Sequence, residues 1–155
     1  MAVTRFDIVS DTHGHLSYRL LAELEGADYI LHAGDMILRE HYEAIARIAP
    51  TYMCLGNNDW AREFEGIATT HVEVELAGLV WRIGHHRERL ELKGCDVAIC
   101  GHTHRPYTET DRKTGVLIMN PGSPTYPRTQ MGPTFGRIMV EDGRVQSAEI
   151  LLIEG

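Results

Sequence analysis

The chain has 155 residues, 43% of them hydrophobic and 24% charged. That is enough for one domain with a buried core and excludes a disordered chain. Acids outnumber Lys plus Arg by 22 to 15, a formal charge of −7, which argues against a surface built to follow a nucleic-acid backbone.

Val3–Ser10 reads as a first strand, with Val3, Phe6, Ile8 and Val9 apolar. Leu16–Leu24 carries Leu16, Leu20, Leu21 and Leu24 at helical spacing, with Gly26 placed to end the helix. Tyr29–Ala33 is a second strand, Arg39–Ile48 a second helix closed by Pro50, and Thr51–Leu55 a third strand. This β-α-β-α-β opening predicts a parallel sheet with crossover helices. His71–Leu76 alternates, Gly78 breaks it, and Leu79–Ile83 runs back, so a hairpin is expected. Arg87–Leu92 is a short helix at best. Asp96–Cys100, Tyr107–Thr110, Val116–Met119, Thr134–Val140 and Val145–Ile153 complete a strand-rich end, with turns at Gly115 and Asp142-Gly143. The pattern predicts a single mixed α/β domain over 1–155, two sheets packed together with helices outside. The opening strand follows no basic and apolar leader, and no apolar run reaches membrane length, so neither a signal peptide nor a membrane association is expected. Cys54, Cys95 and Cys100 form no disulfide pattern, which points to a reducing compartment, the cytoplasm.

The chemistry-bearing residues lie where predicted strands end. Five apolar runs lead into Ser10-Asp11-Thr12-His13-Gly14, Gly34-Asp35, Gly56-Asn57-Asn58-Asp59, Gly84-His85-His86 and Gly101-His102-Thr103-His104. The carboxyl ends of strands form the ligand crevice of open α/β sheets, so these ends bring Asp11, His13, Asp35, Asn57, His85, His102 and His104 towards one place. Asp-x-His and His-x-His are expected to project alternate side chains to one side of an extended segment. Carboxylate, imidazole and amide oxygen without thiolate suit Mn²⁺, Zn²⁺, Fe²⁺, Ni²⁺ or Co²⁺. Seven donors exceed one tetrahedral site and complement two ions, which together clamp the attacking and leaving oxygens at phosphorus.

These motifs, in this order, with Asn120-Pro121-Gly122-Ser123 after them, resemble the calcineurin-like metallophosphoesterase superfamily, and within it the small phosphodiesterases of the YfcE type. The resemblance implies a four-layer α/β/β/α sandwich. It implies that Asp11, His13 and His104 bind one metal, that Asn57, His85 and His102 bind a second, and that Asp35 bridges both. Asp35, Asn57 and His102 are thereby the candidate catalytic residues. It further implies attack of a metal-bridging hydroxide on a small or activated phosphate ester, with Mn²⁺ the first choice of cofactor. Two departures stand out. Where many members carry a histidine after Gly-Asn, this chain has Asn58, which cannot donate a proton as imidazolium does. The usual His-Gly-His reads His85-His86-Arg87; His85 aligns with the ligand, with His86 the alternative.

Around these, His15, Asn58 and Arg105 are candidate substrate contacts, and Arg128 a weaker one. His32 reads as a buried hydrogen-bonded residue, Asp59 as a group that orients Asn57 or a water, and Asp7 as a strand residue with a backbone partner. Asn120 and Ser123 read as turn caps, and Gly101 and Gly122 as residues that permit tight turns. The expected partner is a small phosphate ester and no long nucleic acid, with self-association through the hairpin around Gly78 an open possibility. The competing readings are a metal-binding scaffold without turnover, and a phosphomonoesterase or nuclease of the same superfamily.

Overall fold

Alternation along β1 (Thr4–Val9) sends Phe6 and Ile8 to one face and Asp7 and Val9 to the other, and both faces are buried. A strand covered on both sides belongs in the middle of a layered structure, and β1 occupies the centre of the first sheet. The computed structural model describes residues 2–154. In it β1 pairs in parallel with β2 (Tyr29–His32), which pairs in parallel with β3 (Thr51–Met53). On its other edge β1 pairs antiparallel with β9 (Thr134–Glu141), and β9 with β10 (Arg144–Leu152). The second sheet has the order β4 (His71–Leu76), β5 (Leu79–Gly84), β6 (Val97–Ile99), β8 (Leu117–Asn120), β7 (Tyr107–Thr110), with β5, β6 and β8 parallel and hairpin-type pairs at both edges.

The sheets pack face to face. Phe6 of the first stacks on Trp81 of the second with ring centroids 4.1 Å apart, inside a cluster that includes Ile8, Leu31, Ile83, Ile99 and Ile138. Both helices, α1 (Tyr18–Leu24) and α2 (Arg39–Ala46), cover the outer face of the first sheet, where Leu20, Leu24 and Ile45 meet Val9, Ile30 and Phe135. The Ser17 side chain caps α1 by accepting from Leu20 N at 3.1 Å. Phe64, in a run of turns between β3 and β4 that carries no strand or helix signal, is fully buried in this outer core.

The two-sheet α/β sandwich therefore stands, with a thin fourth layer. The outer face of the second sheet is covered by a 3-10 turn, Arg87–Arg89, and the loop after it, with Leu90, Cys95, Ala98 and Ile118 beneath. The turn stops at Arg89, short of the expected Leu92. Both tight hairpins use two residues at positive φ, Ala77-Gly78 and Asp142-Gly143, as their right-handed twist requires. The Gly78 tip lies against the other hairpin, since a Cβ there would stand 3.3 Å from Gly143 Cα. Asp7 differs from expectation: its partners are side chains. It accepts a forked pair of bonds from Arg5 (3.1 and 2.7 Å) and another from Arg137 (2.9 and 3.2 Å). The same guanidiniums donate to Glu23 and Glu25 carbonyls at the end of α1, so a buried carboxylate fastens that helix to the sheet.

Candidate metal centre

At the carboxyl ends of β1 and β2 the chain leaves the sheet through residues at positive φ. Asp11 (56°), His13 (52°) and Asp35 (61°) are left-handed, as are His102 (73°) and His104 (60°) in the loop after β6. Non-glycine residues pay about 1–3 kcal/mol each for such a conformation and keep it only where surroundings enforce it. This corrects the expectation for Asp-x-His and His-x-His. Neither is an extended segment, and the alternate side chains converge because every second residue is left-handed.

The loops are held by a dense set of hydrogen bonds. His32 is fully buried between them. Its Nδ1 accepts from Gly34 N at 3.1 Å, so its Nε2–H is free to donate to Thr12 Oγ1 at 3.0 Å. Burial lowers its pKa to about 4, so it is a neutral imidazole at pH 7. Asp59 Oδ2 accepts from the backbone N–H groups of Asp35 and Gly56, and Oδ1 from Ile37, all at 2.7 Å. Burial raises its carboxyl pKa although those three N–H groups oppose the shift. Asp59 thus positions Asp35, not Asn57. Ser123 Oγ donates to Asp11 O (2.8 Å), Thr125 Oγ1 to Thr12 O (2.9 Å), and Asn120 Nδ2 to Gly101 O (3.1 Å), so the Asn120–Ser123 turn ties two motif loops together. Gly101 has a spatial role rather than a conformational one. A Cβ there would run into the Ser10 hydroxyl and come within 2.6 Å of Asp11 Oδ2.

These supports gather Asp11, His13, Asp35, His85 and His104 into one buried cluster, as two overlapping trios: Asp11, His13, His104 and Asp11, Asp35, His85. Asp11 Oδ2 is satisfied by Ser10 Oγ (2.6 Å) and His102 N (2.9 Å). Among the described residues its Oδ1 has no hydrogen-bond partner, and neither has His85 Nε2. Oδ1 faces three imidazole nitrogens, Nε2 of His104 at 3.3 Å, His13 at 3.5 Å and His85 at 3.7 Å. Asp35 Oδ2 stands 3.4 Å from His85 Nε2 and 3.6 Å from His13 Nε2, touching both trios.

The tautomers decide what this means. His85 Nδ1 is 2.7 Å from Ala33 O and His104 Nδ1 is 2.7 Å from Tyr126 O. A carbonyl only accepts, so both Nδ1 atoms carry the hydrogen, and in the neutral rings both Nε2 atoms present lone pairs. Lone pairs facing a carboxylate oxygen repel unless a cation lies between them. A carbonyl holding the far nitrogen of each ring is the usual support of a metal-ligating histidine. His13 Nε2 lies 3.1 Å from His104 Nε2, so the two rings converge on one point beside Asp11 Oδ1. The residues present therefore fit divalent cations. Burial opposes ionisation of Asp11, but positive charge on the facing His104, His13 and His85 rings, with the Ser10 hydroxyl, outweighs it and holds its carboxyl far below the usual range; a cation among neutral rings would act in the same sense. Asp35 is lowered too: His85 and Asn58 overcome its burial.

The other expected residues lie at the rim. Asn57 and His102 are exposed; Asn57 lines the same pocket as His85, and the His102 ring stands 5.2 Å from that of His85 without joining either trio. His86 packs beside His102 at 4.4 Å, and it is His85 that points into the cluster. Asn58 is engaged with Asp35: its N–H donates to Oδ1 at 2.9 Å and its amide to Oδ2 at 3.0 Å. His15 Nε2 pairs with Tyr126 OH at 3.1 Å. Arg105 is exposed, with no side-chain hydrogen bond among the described residues. Tyr126 carried no motif signal, yet its carbonyl orients His104 and its ring stands 5.6 Å from that of His13.

Residues 5–143 match the family model described as the calcineurin-like phosphoesterase superfamily domain. A "Probable metallophosphoesterase" of Methanocaldococcus jannaschii is 31% identical over 150 residues, covering 87% of this chain and 75% of that protein. Another from Methanothermobacter thermautotrophicus is 30% identical over 161 residues, 93% and 90% of the two chains. Among solved structures, an archaeal phosphodiesterase superposes with a TM-score of 0.77 at 27% identity, covering 96% of this chain and 100% of its own. The Escherichia coli phosphoesterase YfcE shares the fold, with a TM-score of 0.67 at 20% identity, covering 97% of this chain and 100% of its own.

Proposed function

The chain belongs to the calcineurin-like phosphoesterase superfamily, and we propose that within it the protein is a two-metal phosphodiesterase acting on small phosphate esters. It is a metal-dependent phosphoesterase. One observation carries the finer reading: the buried, unpartnered Asp11 Oδ1 and His85 Nε2 face each other at 3.7 Å within two overlapping trios that share Asp11. Asp11, His13 and His104 would hold one cation. Asp35 and His85 would hold the other, with Asn57 and His102 swinging in from the rim, and Asp35 would touch both. Divalent cations in this place lower the pKa of a water towards neutrality and neutralise charge on the phosphoryl oxygens. The oxygen and nitrogen donor set suits Mn²⁺ first, and Zn²⁺, Fe²⁺, Ni²⁺ or Co²⁺ as well.

The chain's own residues then orient the ester. Asn58 keeps Asp35 in place through two hydrogen bonds and offers no acidic proton, so esters with good leaving groups are favoured. His15 and Arg105 stand at the rim as candidate contacts to the ester. With Asp11 and Asp35 set aside, the chain's formal charge of −7 leaves −5 on the remaining residues, which favours a small substrate over a long polyanion. Three free, buried cysteines are in keeping with a reducing cytoplasm.

The test is turnover of bis-p-nitrophenyl phosphate after exhaustive chelation and after Mn²⁺ is restored. Activity that vanishes and returns supports the reading. Full activity without metal refutes it, and Mn²⁺ binding with no hydrolysis leaves a scaffold. A rate on p-nitrophenyl phosphate above that on the diester would make the protein a monoesterase.

A further inference from the structure

From the metal centre a cleft runs along the β4–β5 edge of the second sheet. Its inner part, about 120 Å³, has Asn57 and His85 on one side and His71, His86 and Arg89 on the other. His71 and Arg89 also line an outer part of about 290 Å³, where the Leu90 side chain meets the strand backbone at Val72 and Ile83, whose own side chains pack towards the core between the sheets. This packing depends on Gly84, where a Cβ would come within 2.8 Å of Leu90 and 3.0 Å of His71. The two parts share His71 and Arg89 in their lining, so the outer part lies beside the inner one that reaches His85.

The charges along this cleft are unequal in how they are met. Arg82, in the outer part, is fully engaged: it bonds Glu73 at 2.6 Å and the carbonyls of Glu91 and Lys93 at 2.9 and 2.6 Å. Glu91 Oε1 accepts from Lys93 N. Arg89, at the junction, is exposed, and its guanidinium has neither ion pair nor hydrogen bond among the described residues. Its backbone is fixed, because its N–H donates to His86 O at 3.1 Å inside the 3-10 turn. A rooted, unpaired fork of donors beside an apolar side chain and next to the reacting centre is suited to a carboxylate or phosphate.

We infer that Arg89 is a specificity residue: the substrate's ester arm lies in this cleft, apolar against Leu90, and carries a second anionic group that Arg89 takes. This rests on the phosphoesterase reading for the position of the phosphate, but its test does not need turnover.

Alkylphosphonates of increasing chain length, ending in a carboxylate, in a phosphate, or in the neutral methyl ester, are titrated by calorimetry into the Mn²⁺-loaded protein. At one chain length an anionic end is expected to bind about ten times more tightly than the neutral end, as a charge-assisted forked contact supports. That ratio should fall below about two in Arg89→Gln and recover in part in Arg89→Lys, which keeps charge but loses the fork. The carboxylate and phosphate arms tell which anion is preferred. A ratio near one at every length in the unmodified protein, a ratio that survives Arg89→Gln, or no phosphonate binding at all would overturn the inference. If no diester is hydrolysed but the ratio depends on Arg89, the phosphodiesterase reading falls and this one stands.

Discussion

Asp59 Oδ2 lies 2.7 Å from the backbone nitrogen of Asp35 and helps hold that residue at a φ of 61°. The two acids act in series: Asp59 fixes a strained backbone, and the strain aims the Asp35 carboxylate at His85 and His13. Two further backbone donors, from Gly56 and Ile37, converge on the same carboxylate, so the loops after β2 and β3 both depend on it. Asp59→Ala should lower Mn²⁺ affinity about 10- to 100-fold, as loss of an outer support does at other metal sites. Calorimetric titration of the metal checks this, and unchanged affinity would show that the loop holds itself.

Asp35→Asn removes the charge while keeping Asn58 and Asp59 as neighbours. Metal affinity and diester turnover should both fall, turnover by at least a hundredfold, with the far-ultraviolet circular dichroism of the parent retained. Turnover within a few-fold of the parent would show that Asp35 does not touch the metals.

Gly101→Ala places a methyl group on the Ser10 hydroxyl and near Asp11 Oδ2. Overpacking of this kind costs about 1–3 kcal/mol. The urea midpoint should drop accordingly, and metal affinity with it, because the displaced Ser10 no longer holds Asp11. A variant with the parent's midpoint would mean the 101–103 loop can retreat freely.

His32 makes stability depend on pH. Its pKa is about 4 in the folded protein against an ordinary value of 6.5, so between these values the unfolded chain binds more protons. Stability from the neutral ring is complete above pH 6.5 and is lost as pH falls towards 4, to a total of about 3 kcal/mol. His32→Asn retains an acceptor for Gly34 N and cannot titrate. Urea unfolding of the chelated protein from pH 7.5 to 4.5 should show a steeper loss in the parent than in the variant. Parallel slopes would place the titration elsewhere.

Much of the fold was legible because strand and helix periodicities are local. β4 and β7 coincide with the expected residues, and the other strands differ by at most two residues at an end. Phe64 escaped because a buried side chain in a run of turns has no period to reveal it. The gathering of Asp11, His13, Asp35, His85 and His104 was legible as well, since Asp and His after several apolar runs is an unusual conjunction. The supports were less so. Asp59 acts on the backbone N–H of Asp35, 24 positions away, and Tyr126 acts through its own carbonyl on the ring of His104, 22 positions away, and one sequence carries no mark of such pairings.

By itself the sequence determined which residues can bind a metal, roughly where each strand lies, and that the chain needs two covered sheets. Only the tertiary structure decided that Asp11 Oδ1 is left without a hydrogen-bond partner, that His85 rather than His86 faces it, and that Asn57 and His102 wait at the rim. The reason is that residue type and spacing specify chemistry and local conformation, whereas the left-handed turns at Asp11, His13, Asp35, His102 and His104 are unfavourable locally. They exist only because contacts from distant parts of the chain outweigh their cost.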